Sequence, residues 1–225
     1  MSYTSAVSVW TPETPRGLDR TRIVEAAIAV ADESGAAAVT MKAVASRLAC
    51  TPMALYRYVQ NKDGLTDLML DSGAAEIPLP EGPWRPALQA LSLETRAMIK
   101  RHPWFADLVH TRPPAGPNQM RRVEFMLATL TAAGATLPEA LTYSAMLDRH
   151  VFGSGLQEAT ESRAETPEAI HKAMTDMRTR AEGRFPNLAA WLAAPSGPPP
   201  DAQFELVLGF LLDGIASQLP QLAES

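Results

Sequence analysis

Apolar positions recur at helical spacing along almost the whole chain. Ile23, Ala26, Ala27, Val30 and Ala31 fall at i, i+3, i+4, i+7 and i+8, one stripe on a helix over about 20–34. Asp19 stands where a carboxylate caps the first turn, and Gly35 where a helix stops. Thr40 precedes a shorter stripe of Met41, Val44, Ala45 and Leu48. Ala49, Cys50 and Thr51 leave room only for a tight turn. Pro52 then opens a third helix, over about 52–59, behind a Thr able to cap it. Asn61 caps a fourth, with Leu65, Leu68, Met69 and Ser72 along one face.

Pro78, Pro80, Gly82 and Pro83 break the pattern. Beyond them the spacing predicts helices over about 84–101, 104–109, 117–133, 138–160, 167–181 and 202–219, with a short one near 188–194. Pro103, the Pro113–Pro117 segment, Gly134–Pro138 and the Pro195–Pro200 tract separate them. No stretch alternates long enough to need a strand. The expected fold is all-α. A flexible arm covers 1–17, a helix-turn-helix bundle with a linking helix covers 18–76, and a larger helical body covers 84–225.

Composition narrows the function. The chain has 225 residues, 46% hydrophobic, too apolar for a disordered chain. Its longest apolar run near the C-terminus, Leu206–Leu212, is far short of the roughly 20 residues of a membrane span. Met1–Trp10 has no Lys or Arg and no apolar core, so it does not read as a secretory leader. A single cysteine, Cys50, excludes an intrachain disulfide and a zinc site built on Cys pairs. A reducing cytoplasm is the expected setting. The formal charge is −5, yet the segment Thr40–Lys62 holds Lys42, Arg47, Arg57 and Lys62 and no acid. Tyr56 and Tyr58 sit among these cations, and cations beside hydroxyl and aromatic groups suit a phosphate backbone.

The informative stretch is VTMKAVASRLACTPMALYRYVQNKDGL, residues 39–65. Two short helices joined by a three-residue turn make a helix-turn-helix candidate. Its layout, T-x-x-x-x-A-x-x-L, a turn, then L-Y-x-Y-V-x-N-K-x-x-L, resembles the tetracycline-repressor family of bacterial transcriptional regulators. The matching residues are Thr40, Ala45, Leu48, Leu55, Tyr56, Tyr58, Val59, Asn61, Lys62 and Leu65. More loosely, His102-Pro103-Trp104, Thr111-Arg112-Pro113 and the closing FELVLGFLLDGI, residues 204–215, resemble the tetracycline repressor's own branch.

The resemblance implies roles. Thr40 would face a phosphate at a helix N-terminus, with Lys42 one turn in. Thr51, Pro52, Met53 and Ala54 would enter the major groove, Tyr56, Arg57 and Tyr58 would flank it, and Lys62 would grip the backbone. Pro52, Met53 and Ala54 carry no hydrogen-bonding side chains, so thymine methyls are their natural contacts. Leu55 and Val59 face the core, Arg47 the solvent, and Cys50 is a small buried hydrophobe.

The segment 202–219 is apolar nearly all round, and 138–160 similar, with Leu141, Met146, Val151 and Leu156. One subunit cannot cover both sides of such helices, so a two-fold homodimer through them is expected. Between the helices a ligand pocket for a largely apolar small molecule is expected. Its candidate lining is Met98, His102, Trp104, Phe105, Phe125, Met126, Tyr143, Met146, His150 and Phe152. No cofactor and no metal site is expected, since each of the four histidines stands alone in its segment. Aligning Thr111-Arg112-Pro113 with the tetracycline-binding relatives puts Leu108 where they carry the magnesium-ligating His. His110 lies two residues on, and Glu158 and Glu161 lie near the expected Glu. That departure speaks against magnesium–tetracycline as effector.

No nucleophile elbow, phosphate loop or zinc-protease motif is present, which argues against an enzyme. The expected protein is a homodimeric repressor released from a palindromic double-stranded operator by a small molecule. The helix over 62–76 is the expected lever. Two alternatives stand: a DNA-binding dimer with no small-molecule effector, and a helical binding protein that no longer binds DNA.

Overall fold

A computed structural model describes residues 17–163, 167–194 and 197–219, leaving aside the side chains of 160–163 and 167–170. The expected arm therefore lies outside the described residues except for Gly17, and so does the side chain of Glu161. Among the described residues all regular structure is helical.

The first four helices follow their capping residues. Helix α1, Arg20–Ser34, starts where the Asp19 carboxylate accepts from the Arg22 amide at 2.9 Å. It ends at Gly35, φ 81°, whose N–H bonds Ala31 O at 2.7 Å. Helix α2, Met41–Arg47, is capped by Thr40 Oγ1 accepting from the Ala43 amide at 3.0 Å. Helix α4, Lys62–Ala75, is capped by Asn61 Oδ1 accepting from Gly64 N at 2.8 Å. Helix α3, Pro52–Val59, differs from expectation: Thr51 stands at its N-cap but makes no side-chain cap bond. The Ala54 amide is already taken by the Thr51 carbonyl at 3.0 Å. The hydroxyl is left without that partner.

The turn between α2 and α3 is closed by two crossed bonds, Cys50 N to Ala45 O at 3.0 Å and Ala49 N to Ser46 O at 3.2 Å. This is the helix-ending motif that places one residue in the left-handed region, usually Gly. Here Ala49 takes it, at φ 51°.

The body comprises α5 (Trp84–Arg101), α6 (Trp104–Leu108), α7 (Pro117–Ala132), α8 (Leu137–Arg163), α9 (Pro167–Ala181), α10 (Pro186–Ala193) and α11 (Pro200–Gln218). Helix α10 opens two residues earlier than the expected 188 because Pro186 supplies its first position. Helix α5 packs on α7, α8 and α11, while α9 packs on α10. Gly155 of α8 lets α5 approach, since a Cβ there would crowd Ile99.

Helix α4 packs against α1, α3, α6 and α7 at once. Leu65, Met69 and Leu70 are buried, but so are Thr66, Asp67 and Asp71 on its other side. One apolar core runs through it, from Ile23, Val44, Leu55 and Val59 to Leu88, Met98, Trp104 and Leu130. Each such side chain is worth about 1.5–3 kcal/mol in burial. The first three helices thus share a core with the body through α4.

Candidate nucleic-acid interface and adjoining cavity

Helix α3 is two-sided. Leu55 and Val59 point into the core at 0% exposure, while Met53 is 73% exposed. Thr51, Pro52, Tyr56 and Arg57 are exposed as well, and so are Thr40 and Lys42 on α2 and Lys62 at the start of α4. Ala54 and Tyr58 are half-buried. The Tyr58 ring packs on the core and its carbonyl accepts from Arg20 Nε at 3.0 Å, so its inward side is committed to the fold.

Lys42, Arg57 and Lys62 form no ion pair with any described residue. Arg47 does: both its terminal nitrogens donate to Glu33, at 2.7 and 2.8 Å. Those bonds hold the Glu33 carboxyl below the usual carboxylate range. Three cations of the basic segment therefore stay uncompensated beside hydroxyls and an exposed methionine. That combination suits a phosphate backbone with an apolar contact on the bases.

Behind this surface, α4 is fastened to the body by polar contacts that the buried side of α4 requires. Asp67 forms an ion pair with Arg112, the second bond measuring 3.0 Å, and Asp63 lies 3.5 Å from the same guanidinium. These carboxylates hold the Arg112 guanidinium above its ordinary range, the Asp67 hydrogen bond most of all. Asp71 accepts from the amides of Asn118 and Gln119 at 2.8 and 3.0 Å and from Asn118 Nδ2 at 2.7 Å, capping α7 from outside. Gly116 is required there, because a Cβ would collide with the Asp71 carboxylate. At the far end of α4, His102 bridges two helices. Its Nδ1 lies 2.8 Å from Asp32 of α1, and its Nε2 lies 3.1 Å from Glu76. Trp104 Nε1 donates to the same Asp32 at 2.7 Å.

A cavity of about 270 Å³ opens beside this junction. Ala74 of α4 forms part of its wall, together with Phe105, His110, Gln119, Arg122 and Phe152. Of the ten residues expected to line a pocket, the structure brings Phe105 and Phe152 to this cavity. Met98, Trp104 and Met126 are sealed into the packed core. Phe125 and Tyr143 are half-buried against that core, and Met146 is half-buried without reaching the cavity. His102 is held at the α1–α4 junction. His150 stacks on Phe204, rings 4.5 Å apart, and borders a separate recess between α8 and α11.

The lining is also more polar than expected. Arg122, 8% exposed, donates to Asp148 at 2.6 and 3.2 Å, and both line the cavity with Gln119, His110 and Arg149. One signal for this was present. Gln119, Arg122, Met126 and Leu130 lie on one face of α7, and all four are buried. A helix whose apolar stripe continues into Gln and Arg places polar groups inside. Leu108 and His110 are not joined by acids into a metal site, and no cluster of three His, Cys, Asp or Glu able to hold a metal occurs among the described residues. No helix among them is long and apolar enough to cross a membrane.

Residues 23–69 match the model described as "Bacterial regulatory proteins, tetR family", and residues 77–219 match "Tetracyclin repressor-like, C-terminal domain". The chain belongs to the tetracycline-repressor family. It is similar to the HTH-type transcriptional repressor DrrR1 of Streptomyces coeruleorubidus, 36% identical over 205 residues, covering 86% of this chain and 76% of that one. Among solved structures it resembles apo ActR from Streptomyces coelicolor, with a TM-score of 0.79 and 25% identity over 92% of this chain and 99% of that one. ActR in complex with actinorhodin gives a TM-score of 0.77 and 26% identity over the same shares of the two chains. The chain is accordingly a helix-turn-helix transcriptional regulator and not an enzyme. The α2–α3 pair falls within the N-terminal family match, and the body from α5 onward falls within the C-terminal one.

Proposed function

We propose that this regulator is a cytoplasmic homodimeric repressor that leaves a palindromic operator when a small molecule fills the cavity beside α4. One observation carries the reading: Ala74, in the last turn of the helix that supports the DNA-reading unit, is part of the cavity wall. Gly73 lies directly against Phe105, a second wall residue, so a ligand that moves Phe105 meets the α4 backbone. Gln119, a third, hangs from Asp71 of α4. A ligand shifts the equilibrium only by its differential affinity for two positions of α4. A related protein, ActR, has been crystallised with actinorhodin bound, which supports a small molecule as effector.

The dimer is supported by uncovered apolar residues on α8 and α11. Leu206 and Phe210 of α11 are 52% and 64% exposed, opposite a buried side of Phe204, Leu208, Leu212 and Ile215. Leu141 and Leu156 of α8 are exposed as well, and Gly153 has no neighbour where its Cβ would be. Pairing these faces about a two-fold axis places two copies of α3 on one duplex, and successive major grooves lie about 34 Å apart. In that docking Thr40, Lys42, Tyr56, Arg57 and Lys62 take phosphates, and Thr51, Pro52, Met53 and Ala54 meet the groove.

The test is selection of random duplex DNA by the purified protein, followed by anisotropy titration of the winner at several salt concentrations. The expected winner is a palindrome bound by one dimer. If Lys42, Arg57 and Lys62 of both subunits each neutralise a phosphate, log K falls against log salt with a slope of roughly −5. Lys62→Ala should flatten that slope by about 2 and weaken specific and non-specific binding alike. A folded protein that enriches no sequence overturns the reading.

A further inference from the structure

Among the described residues, two buried side-chain polar atoms have no hydrogen-bond partner, Arg122 Nε and Ser144 Oγ. Arg122 is the one that lines the cavity. Asp148 occupies its two terminal nitrogens end-on, at 2.6 and 3.2 Å, which leaves the Nε–H with nothing to donate to. A buried donor without an acceptor is costly to keep, more so on a charged group. The Arg122–Asp148 pair therefore leaves a guanidinium of the cavity wall incompletely bonded, a pairing that a competing anion can rearrange.

The rest of the wall says what such a molecule is. Two guanidinium groups, Arg122 and Arg149, and one carboxylate, Asp148, line the cavity, so the lining carries an excess of positive charge. The other walls are flat. Phe105 and Phe152 sit 6.1 Å apart at a tilt of 42°, and His110 meets Phe152 edge-on at 5.4 Å. The Arg122 guanidinium carbon lies over the Phe152 ring, 5.5 Å from its centre, so the cation and the aromatic wall meet at one place in the lining.

We propose that the effector is an aromatic acid, its ring system on Phe105 and Phe152 and its ionised oxygen accepting from Arg122. This rests on the reading of the cavity as the effector site and gives that site its ligand class. It also gives a route for the signal. Arg122 is one turn along α7 from Gln119, whose amide is held by Asp71 of α4. An anion that competes with Asp148 for Arg122 therefore acts on the helix whose N-terminus is fastened to α4.

The test is calorimetric titration of the full chain, near neutral pH, with anthraquinone-2-carboxylate and with its neutral carboxamide, which share a ring system and differ in charge. The wild type should bind the carboxylate about tenfold tighter or more, the scale of a charge-assisted bond in a buried site. Arg122→Gln combined with Asp148→Asn removes both charges and keeps a hydrogen-bonding pair. In it the preference should fall to about one while carboxamide binding persists. Arg122→Lys keeps a cation opposite Asp148 and should lose part of the preference, so the comparison survives if the double variant does not fold. Equal binding of the two probes, no binding of either, or a preference that survives in both Arg122 variants overturns the proposal. Operator titration separates this from the regulator reading. A protein that binds its operator and is released only by neutral molecules keeps that reading and loses this inference. A protein that prefers the carboxylate but selects no DNA does the reverse.

Discussion

Asp71→Ala is the perturbation that most directly tests the coupling of α4 to the body. Asp71 is 5% exposed and accepts three hydrogen bonds from the start of α7. The Asn118 and Gln119 amides belong to the first turn of α7, where no helical carbonyl can receive them. Gly116 has no side chain to cap that turn, so a residue of another helix does so. Losing a cap of this kind costs about 1 kcal/mol. Losing an anion at a partly buried helix N-terminus costs about another 1 kcal/mol, and losing the Asn118 side-chain bond about 1 kcal/mol more. The sum is about 3 kcal/mol, which for a chain of this length lowers the melting temperature by about 6–12 °C. Asp71→Asn keeps an acceptor and loses the charge, so it should cost about 1 kcal/mol, or about 2–4 °C. The assay is thermal unfolding by circular dichroism at one fixed protomer concentration, since a dimer's melting point depends on concentration. Operator anisotropy with and without a cavity ligand goes alongside, and in Asp71→Ala the ligand should change operator affinity less than in the wild type. A melting point for Asp71→Ala within about 2 °C of the wild type would refute the assignment of Asp71 as the cap.

Three other outcomes are expected. Ala49→Gly relieves a left-handed residue worth about 1–2 kcal/mol against about 0.5–1 kcal/mol of extra chain entropy, so urea unfolding should show a gain of up to about 1.5 kcal/mol; a loss would mean the α2–α3 turn is unstrained. Phe210→Glu places a charge on the exposed apolar face of α11 and should give a folded monomer by sedimentation, with operator affinity falling in parallel; a dimer of unchanged affinity would place the interface elsewhere. Hydrogen bonds from Lys100 and then Arg96 hold the Asp201 carboxyl below its ordinary value. A depressed carboxylate contributes stability above its unfolded value, about 3.9, and loses it as pH falls further. The stabilities of the wild type and Asp201→Asn should therefore keep a steady difference down to about pH 4 and converge as pH falls from there towards about 2, and a difference that stays constant through that acid range would sink the assignment.

The helices were legible because each boundary has a local cause. Asp19, Thr40 and Asn61 cap helices through bonds to residues three positions on, and Pro52 and Pro117 stand at the first position of theirs; Pro200, read as part of a breaking tract, also opens a helix, two residues before the expected start. The basic surface was legible in the same way, since a run of cations without acids is a property of the chain itself. The fate of Arg47 was not. Glu33, fourteen residues away, reaches it only because α1 packs on α2.

The cavity divides most sharply into what was local and what was not. Periodicity tells that a residue faces inward, and Met98, Trp104 and Met126 do, but it cannot tell whether the inside is filled or empty there. Filling is decided by the volumes of side chains from several helices at once. Here those helices close over the Met and Trp side chains and leave space beside Ala74, His110 and Arg122. The external capping of α7 by Asp71 is of the same kind, joining residues 47 positions apart. The helices, their caps and the charge of the α2–α3 segment are local properties of the chain, because the interactions behind them span about one turn. Where the void lies and which carboxylates bind α4 to the body come from the packed fold, because packing volume and buried charge pairing are settled between helices that are distant in sequence.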